Sequence, residues 1–182
     1  MKKEDLRVIY KQKRSELTSK QKEAFEQSIY QQLFHLDLAE VTNVHLFLSM
    51  KKFKEVDTLP IIHHFRKQGK QIIVSKCNFK DDSLMHFYFE ENTKLELNKF
   101  GVPEPVNAKE VSVSDIDLVL VPLLISDKKN YRVGYGKGFY DRFLANCRND
   151  VKTIGLNFFQ PIDVIDDLNE YDIPLHQVIY PQ

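Results

Sequence analysis

Arg132-Val133-Gly134-Tyr135-Gly136-Lys137-Gly138-Phe139-Tyr140-Asp141 is the stretch of the chain richest in groups that could do chemistry. Glycines alternate at 134, 136 and 138, a pattern that lets backbone N–H groups turn inward and approach an anion closely. Arg132 and Lys137 bring full positive charges suited to phosphate oxygens. Asp141, one turn into the helix expected to follow, is placed to hold a magnesium ion beside those phosphates. A helix start adds free N–H groups and a positive dipole end. Two better-known phosphate loops do not fit. The Walker A pattern requires Ser or Thr after its Lys, and Gly138 stands there. The dinucleotide fingerprint requires a third glycine at position 139, which is Phe. A glycine-rich turn can also serve tight packing alone, but the interleaved Arg, Lys and Asp favour a phosphate cradle of another kind.

The elements that must position this loop can be read around it. Leu118 to Val121 is a buried strand ended by Pro122, a loop spans Ser126 to Gly138, and Phe139 to Asn146 form a helix. Upstream, residues 2–16 carry Leu6, Ile9, Tyr10 and Leu17 at helical spacing. Thr18 and Gln21 form a capping box that opens a second helix, whose apolar face holds Ala24, Phe25, Ile29, Leu33 and Phe34. Val44 to Leu48 and Ile72 to Val74 read as buried strands, and Met85 to Phe89 as an edge strand. Between the first two lies a helix over 57–68, capped by Asp57 or Thr58, with Pro60 in its first turn and Gly69 at its stop. Residues 90–115 are loop-rich, while Thr153 to Leu156 and Val178 to Tyr180 complete the strands. Short apolar strands alternating with helices predict one α/β domain over 1–182: a mostly parallel, Rossmann-like sheet with helices on both faces, preceded by a helical hairpin. Ligands in such sheets bind beyond the carboxyl ends of the strands, which singles out the loops after Leu48, Val121 and Leu156.

Composition narrows the function classes. The chain has 182 residues, 26 basic and 26 acidic, hence a formal net charge of +0. A sequence-independent nucleic-acid binder usually carries a basic excess. The charge is uneven: Lys2, Lys3, Arg7, Lys11, Lys13 and Arg14 face only Glu4 and Asp5 in the first fourteen residues. Cys77 and Cys147 match no zinc-ligand spacing, and a reduced, cytoplasmic setting is expected. The start has no apolar stretch of signal-peptide type, and no run is long enough to span a bilayer.

Val121-Pro122-Leu123-Leu124, then Asp127, then the run from Arg132 to Asp141 continued by Arg142-Phe143-Leu144, resembles the signature of the 5-formyltetrahydrofolate cyclo-ligase family. Lys3-x-x-Leu6-Arg7 is similar to that family's opening motif, which implies that Lys3 and Arg7 reach nucleotide phosphates. Phe47-Leu48-Ser49-Met50 followed by Glu55-Val56-Asp57-Thr58 resembles its first substrate loop, with Glu55 on the polar edge of the pterin and Leu48 lining the same pocket. A carboxylate there accepts hydrogen bonds from the ring's amino and N–H groups. Phe100-Gly101-Val102-Pro103-Glu104-Pro105 is similar to a family segment whose aromatic stacks near the folate, which implies that role for Phe100. Ile154-Gly155-Leu156 with Gln160 looks like the family's next strand and loop. Tyr171-Asp172-Ile173-Pro174-Leu175 resembles its closing motif, making Asp172 the second magnesium ligand after Asp141. His176 stands where a carboxylate is usual and is expected at the surface or a strand edge.

The resemblance implies ATP and Mg²⁺ as requirements and a C–N bond-forming ligation as the reaction. The formyl oxygen of 5-formyltetrahydrofolate attacks the γ-phosphoryl group of ATP. The neighbouring amine then closes the ring to 5,10-methenyltetrahydrofolate, and ADP and phosphate are released. Arg132 and Lys137 are the expected catalytic side chains. With Arg132, Gly134, Tyr135, Gly136, Lys137, Gly138, Phe139 and Tyr140 on ATP, the stretch from Tyr135 to Tyr140 also meets the folate. The cysteines and histidines are expected to be non-catalytic. A monomer acting on a small molecule follows, with neither nucleic acid nor membrane as partner. Two rivals stay open: another phosphate-handling enzyme on the same scaffold, and a non-enzymatic binding module, with RNA as one candidate partner, that has lost the chemistry.

Overall fold

The computed structural model describes residues 1–182. Helix α1 (Lys3–Glu16) and helix α2 (Ser19–Phe34) make up the N-terminal helical pair. The capping box is present: Thr18 accepts from the Gln21 N–H, and the Gln21 side chain accepts from the Thr18 N–H. Strand β1 (Asn43–His45) follows, then a 3₁₀ turn (Lys51–Phe53) and helix α3 (Leu59–Lys67). Next come β2 (Gln71–Asn78), β3 (Ser83–Tyr88), β4 (Lys94–Leu97), β5 (Pro103–Val106) and β6 (Glu110–Val111). The chain continues through β7 (Leu118–Pro122), β8 (Ile125–Ser126), β9 (Arg132–Val133), α4 (Phe139–Ala145), β10 (Lys152–Leu156) and β11 (Gln177–Ile179).

The main sheet has the order β11-β10-β7-β1-β2-β3-β6. The five strands from β11 to β2 are parallel, while β3 and β6 join antiparallel. Alternation along the strands sorts side chains onto two faces. Val44, Ile72, Val74, Leu118 and Leu120 pack with Ile29, Leu33, Ile61 and Phe65, so α2 and α3 cover one face. Ile73, Val119 and Val121 pack with Phe143 and Leu144, so α4 covers the other. Full burial of Ile61, Ile62 and Phe65 contributes about 2 kcal/mol each in transfer free energy. Helix α1 stands apart, with Leu6 and Tyr10 against Leu124, Ile125 and Val133 beyond the carboxyl end of β7.

The mostly parallel sheet with helices on both faces agrees with expectation, and three local features differ from it. β1 stops at His45 instead of Leu48, although the Leu46 N–H still donates to the Ile73 carbonyl at 3.0 Å. β3 is not an edge strand, because β6 pairs on its far side. The expected loops at 90–115 and 126–138 contain the hairpins β4–β5 and β8–β9. Pro103 and Pro105 count against a strand in sequence. They are tolerated in β5 because that strand pairs only with β4.

Candidate active site

Strand order reverses between β1 and β7: the sheet grows through β2 on one side and through β10 on the other. The loops leaving the carboxyl ends of β1 and β7 therefore part at a topological switch point, where α/β sheets open a ligand crevice. One of those loops carries Glu55 and the other the glycine run. They meet through one hydrogen bond, Tyr135 Oη donating to Glu55 Oε1 at 3.0 Å.

The Glu55 loop is held from both sides. Lys54 adopts a left-handed conformation (φ 46°). Its Nζ reaches the Ser15 and Leu17 carbonyls, at 2.6 and 2.7 Å. That caps the carboxyl end of α1, which leaves carbonyls unpaired. Thr58 Oγ1 donates to the Phe47 carbonyl instead of capping α3, and Asp57 Oδ1 accepts from the Leu59 N–H at 3.0 Å, so Asp57 holds the helix entrance. Between these anchors Glu55 is 5% exposed, and its Oε2 accepts from the Met50 N–H at 2.7 Å. Burial pushes its carboxyl above the ordinary range, opposed by bonds from Met50 and Tyr135 and by the charge of Arg14. Leu48 is half-buried against the main core.

The glycine loop curls around Arg7. Gly136 has φ 93° and Gly138 φ 70°. A Cβ on Gly136 would lie 3.1 Å from Arg7 Nε, so that position requires glycine both for its backbone and for the approach of the side chain. Arg7 Nε donates to the Gly134 carbonyl at 3.1 Å. Lys137 is exposed, and its ammonium has no hydrogen-bond or ion-pair partner in the protein. The first turn of α4 has no side-chain cap. Tyr135 packs against Phe53 with ring centroids 5.3 Å apart. Tyr140 sits on the other side of the loop, beside His45 and Phe143, its phenol held protonated by burial and by the nearby charge of Glu55.

Phe100 is 54% exposed at the tip of the β4–β5 hairpin. It contacts Phe79 at 4.9 Å, and Phe79 in turn meets Phe139 at 6.4 Å. Lys52 Nζ donates to the Phe100 carbonyl at 2.9 Å, tying this tip to the Glu55 loop. Exposed Phe53, Phe79 and Phe100 thus rim the opening with flat apolar surface.

The four remaining site residues are already paired. Arg132 Nη2 lies 2.7 Å from Asp141 Oδ1, and the Arg132 side chain is 5% exposed. Lys3 Nζ lies 2.5 Å from Asp172 Oδ2, with both side chains 13% exposed. Asp172 also accepts from the Asn169 N–H, whereas Asp141 Oδ2 accepts nothing. No cluster of three or more metal-ligating side chains exists. This donor set cannot cage a metal alone. It fits Mg²⁺, which takes one or two carboxylates and completes its shell with phosphate oxygens and water.

Arg14 is the site residue that sequence reasoning passed over, counting it only among the basic residues of the first helix. It is 4% exposed, donating from Nη1 to Tyr135 Oη at 3.3 Å and from Nη2 to the Leu123 carbonyl. A signal was available: Arg14 falls on the apolar stripe of Leu6, Tyr10 and Leu17, where a charge is out of place. The cysteines are unreactive by environment, since burial pushes the Cys77 and Cys147 thiols up to about 11. His45 and His86 share Ser75 Oγ inside the fold, and burial holds both rings neutral. His176 lies at the start of β11, exposed, with its ring on Thr153.

The model of the 5-formyltetrahydrofolate cyclo-ligase family matches residues 1–181. The 5-formyltetrahydrofolate cyclo-ligase of Haemophilus influenzae is 28% identical over 98% of this chain and 97% of its own length. The mouse 5-formyltetrahydrofolate cyclo-ligase is 31% identical over 75% of this chain and 72% of its own. The solution structure of Aquifex aeolicus 5,10-methenyltetrahydrofolate synthetase superposes with a TM-score of 0.82 at 26% identity, covering 99% of this chain and 90% of that one. With a match that runs from end to end, and the signature loop seated at the switch point of the sheet, the chain belongs to the 5-formyltetrahydrofolate cyclo-ligase family.

Proposed function

We propose that this chain, acting as one domain over 1–182, is an ATP-dependent ligase that cyclises 5-formyltetrahydrofolate to 5,10-methenyltetrahydrofolate. The observation that carries the reading is the Tyr135–Glu55 hydrogen bond of 3.0 Å, because it joins the phosphate loop and the pterin carboxylate in one crevice. Glu55 anchors the pterin, Leu48 lines its slot, and Phe100 with Phe139 and Tyr140 bounds the flat apolar side. Lys3, Arg7, Arg132 and Lys137 take the phosphates, together with the backbone of Gly134, Gly136 and Gly138. Among these four cations Lys137 is the one left exposed and without a partner of its own.

The chemical difficulty is that a formyl oxygen is a poor leaving group. Its attack on the γ-phosphorus forms an O–P bond and breaks the bond to ADP. The neighbouring amine then adds to the activated carbon and loses its proton, and the C–O bond breaks with phosphate as leaving group. The chain contributes alignment and charge, with Lys137 and Arg132 facing the transferring group. Asp141, through its free oxygen, and Asp172 would hold Mg²⁺, which supplies neutralisation of charge between the β- and γ-phosphates. The free thiols support a cytoplasmic setting.

The test is absorbance on mixing the protein with 5-formyltetrahydrofolate, Mg²⁺ and ATP, beside an ATP-free control. ATP-dependent growth of the methenyl product's near-ultraviolet band is expected. Folded protein that yields no such band would move the reading to another substrate of the same crevice.

A further inference from the structure

We propose that Arg14 is a positioning residue for the folate half of the site, acting on Glu55 through the Tyr135 hydroxyl and locking α1 to both. This rests on the reading of Glu55 as the pterin anchor. The guanidinium, the hydroxyl and the carboxylate form a relay: Arg14 Nη1 to Tyr135 Oη at 3.3 Å, then Tyr135 Oη to Glu55 Oε1 at 3.0 Å. The same guanidinium holds the Leu123 carbonyl, the first residue past β7. One side chain therefore ties α1, the exit of β7, the glycine loop and the Glu55 carboxylate together. Lys3 and Arg7 ride on that helix, so the tie also fixes the nucleotide side relative to the pterin side.

Structure alone does not call for a charge here. Arg14 stands in the apolar stripe of α1, and its Nε is sealed from solvent without a partner. A buried charged set of this kind, replaced as a whole by well-packed apolar residues, commonly costs no stability. A functional demand accounts for it instead. Glu55 must stay ionised and fixed in orientation inside a dry pocket to accept the pterin's N–H groups. The charged and titratable groups facing it are Arg14 from α1, Tyr135 from the glycine loop and Tyr140 from α4, with the Met50 amide from its own loop. Arg14 is the one cation among them.

Steady-state kinetics of R14M, R14K, Y135F and E55Q test this. R14M is expected to raise KM for 5-formyltetrahydrofolate about tenfold, the loss of one charge-assisted hydrogen bond, with a much smaller change for ATP. The acid limb of its kcat/KM profile moves to higher pH, because Glu55 loses its cation. R14K, which keeps the charge, returns that limb toward the parent position. R14M with parent folate KM and an unmoved limb overturns the proposal, as does a loss confined to thermal stability. If R14M does not fold, Y135F decides: it breaks the relay while keeping the ring against Phe53, and a parent folate KM there overturns the proposal. E55Q separates the two levels. An unchanged folate KM in E55Q removes the pterin anchor and the relay with it. A raised KM in E55Q with parent values in R14M and Y135F removes Arg14 alone.

Discussion

Lys3 Nζ and Asp172 Oδ2 lie 2.5 Å apart although 169 positions separate them in the chain. The first is assigned to a phosphate and the second to the metal, so each occupies the other's attention before ligands arrive. Arg132 and Asp141 repeat the arrangement at 2.7 Å. The crevice thus stores its charges as two ion pairs, and on the proposed assignment Mg²⁺ and ATP would exchange the partners. On the proposed assignment, replacing Lys3 by Met removes a phosphate contact and frees the Asp172 carboxylate. KM for ATP is expected to rise about tenfold, as for one charge-assisted bond, while KM for the folate stays near the parent value. The start of α1 keeps its other ties, Lys3 N–H to Asp167 and the Met1 ammonium to Asp166, so the fold persists. Separate titrations of each substrate check this, and an unchanged ATP KM would remove Lys3 from the nucleotide site.

Lys137 presents the opposite case, a cation with nothing to neutralise it. Its removal costs the protein no internal contact, and exposed substitutions of this kind change stability by less than about 0.5 kcal/mol. The K137A variant should keep the parent melting temperature. Its kcat should fall on the order of a hundredfold, the scale for losing one donor to transition-state charge. Differential scanning calorimetry beside single-turnover kinetics separates the two quantities. An unchanged kcat would exclude Lys137 from the chemistry.

The contrast between these lysines also marks what sequence makes legible. Leu118 to Val121 reads as a buried strand because every residue is apolar, and the strand is there with four fully buried side chains. The glycine loop is legible because Gly136 and Gly138 occupy conformations that other residues resist. The β4–β5 hairpin is not, since Leu95 and Leu97 are exposed and two prolines interrupt its second strand. Pairings such as Lys3 with Asp172 depend on where the two ends of the chain are brought by the sheet, and no local pattern encodes that. Arg14 lies between these cases. Its place on an apolar stripe is visible, but its partners are 109 and 121 positions away.

The pH dependence follows from Glu55. Burial raises its carboxyl above the ordinary Glu value of 4.5. The folded state therefore binds this proton more tightly than the unfolded chain. Its contribution to stability is fully present below the unfolded pKa and is lost as pH rises through the folded one. With Glu55 as the proposed pterin anchor, the charged form is the one that accepts the ring's donors, so activity is expected to rise over the same window in which stability falls. The E55Q variant should lose the acid limb of kcat/KM for the folate. Its melting temperature relative to the parent should become more favourable as pH increases through that window. A parallel pair of melting curves across pH would contradict the raised carboxyl.

Gly136 offers a test of the loop geometry itself. Alanine at φ 93° is strained, and its methyl would sit 3.1 Å from Arg7 Nε and 3.2 Å from Arg7 Cζ. The strain costs about 1 kcal/mol, and the contact pushes the guanidinium off the Gly134 carbonyl. Because Arg7 is the flexible partner, the side chain moves before the backbone does. The expected signature in G136A is therefore a modest drop in melting temperature with a marked rise in KM for ATP. G134A is the control. Its Cβ meets nothing within 4 Å and its φ is not positive, so it should leave the melting temperature near the parent value. If G136A and G134A behave alike in both measurements, the approach of Arg7 to the loop does not shape nucleotide binding.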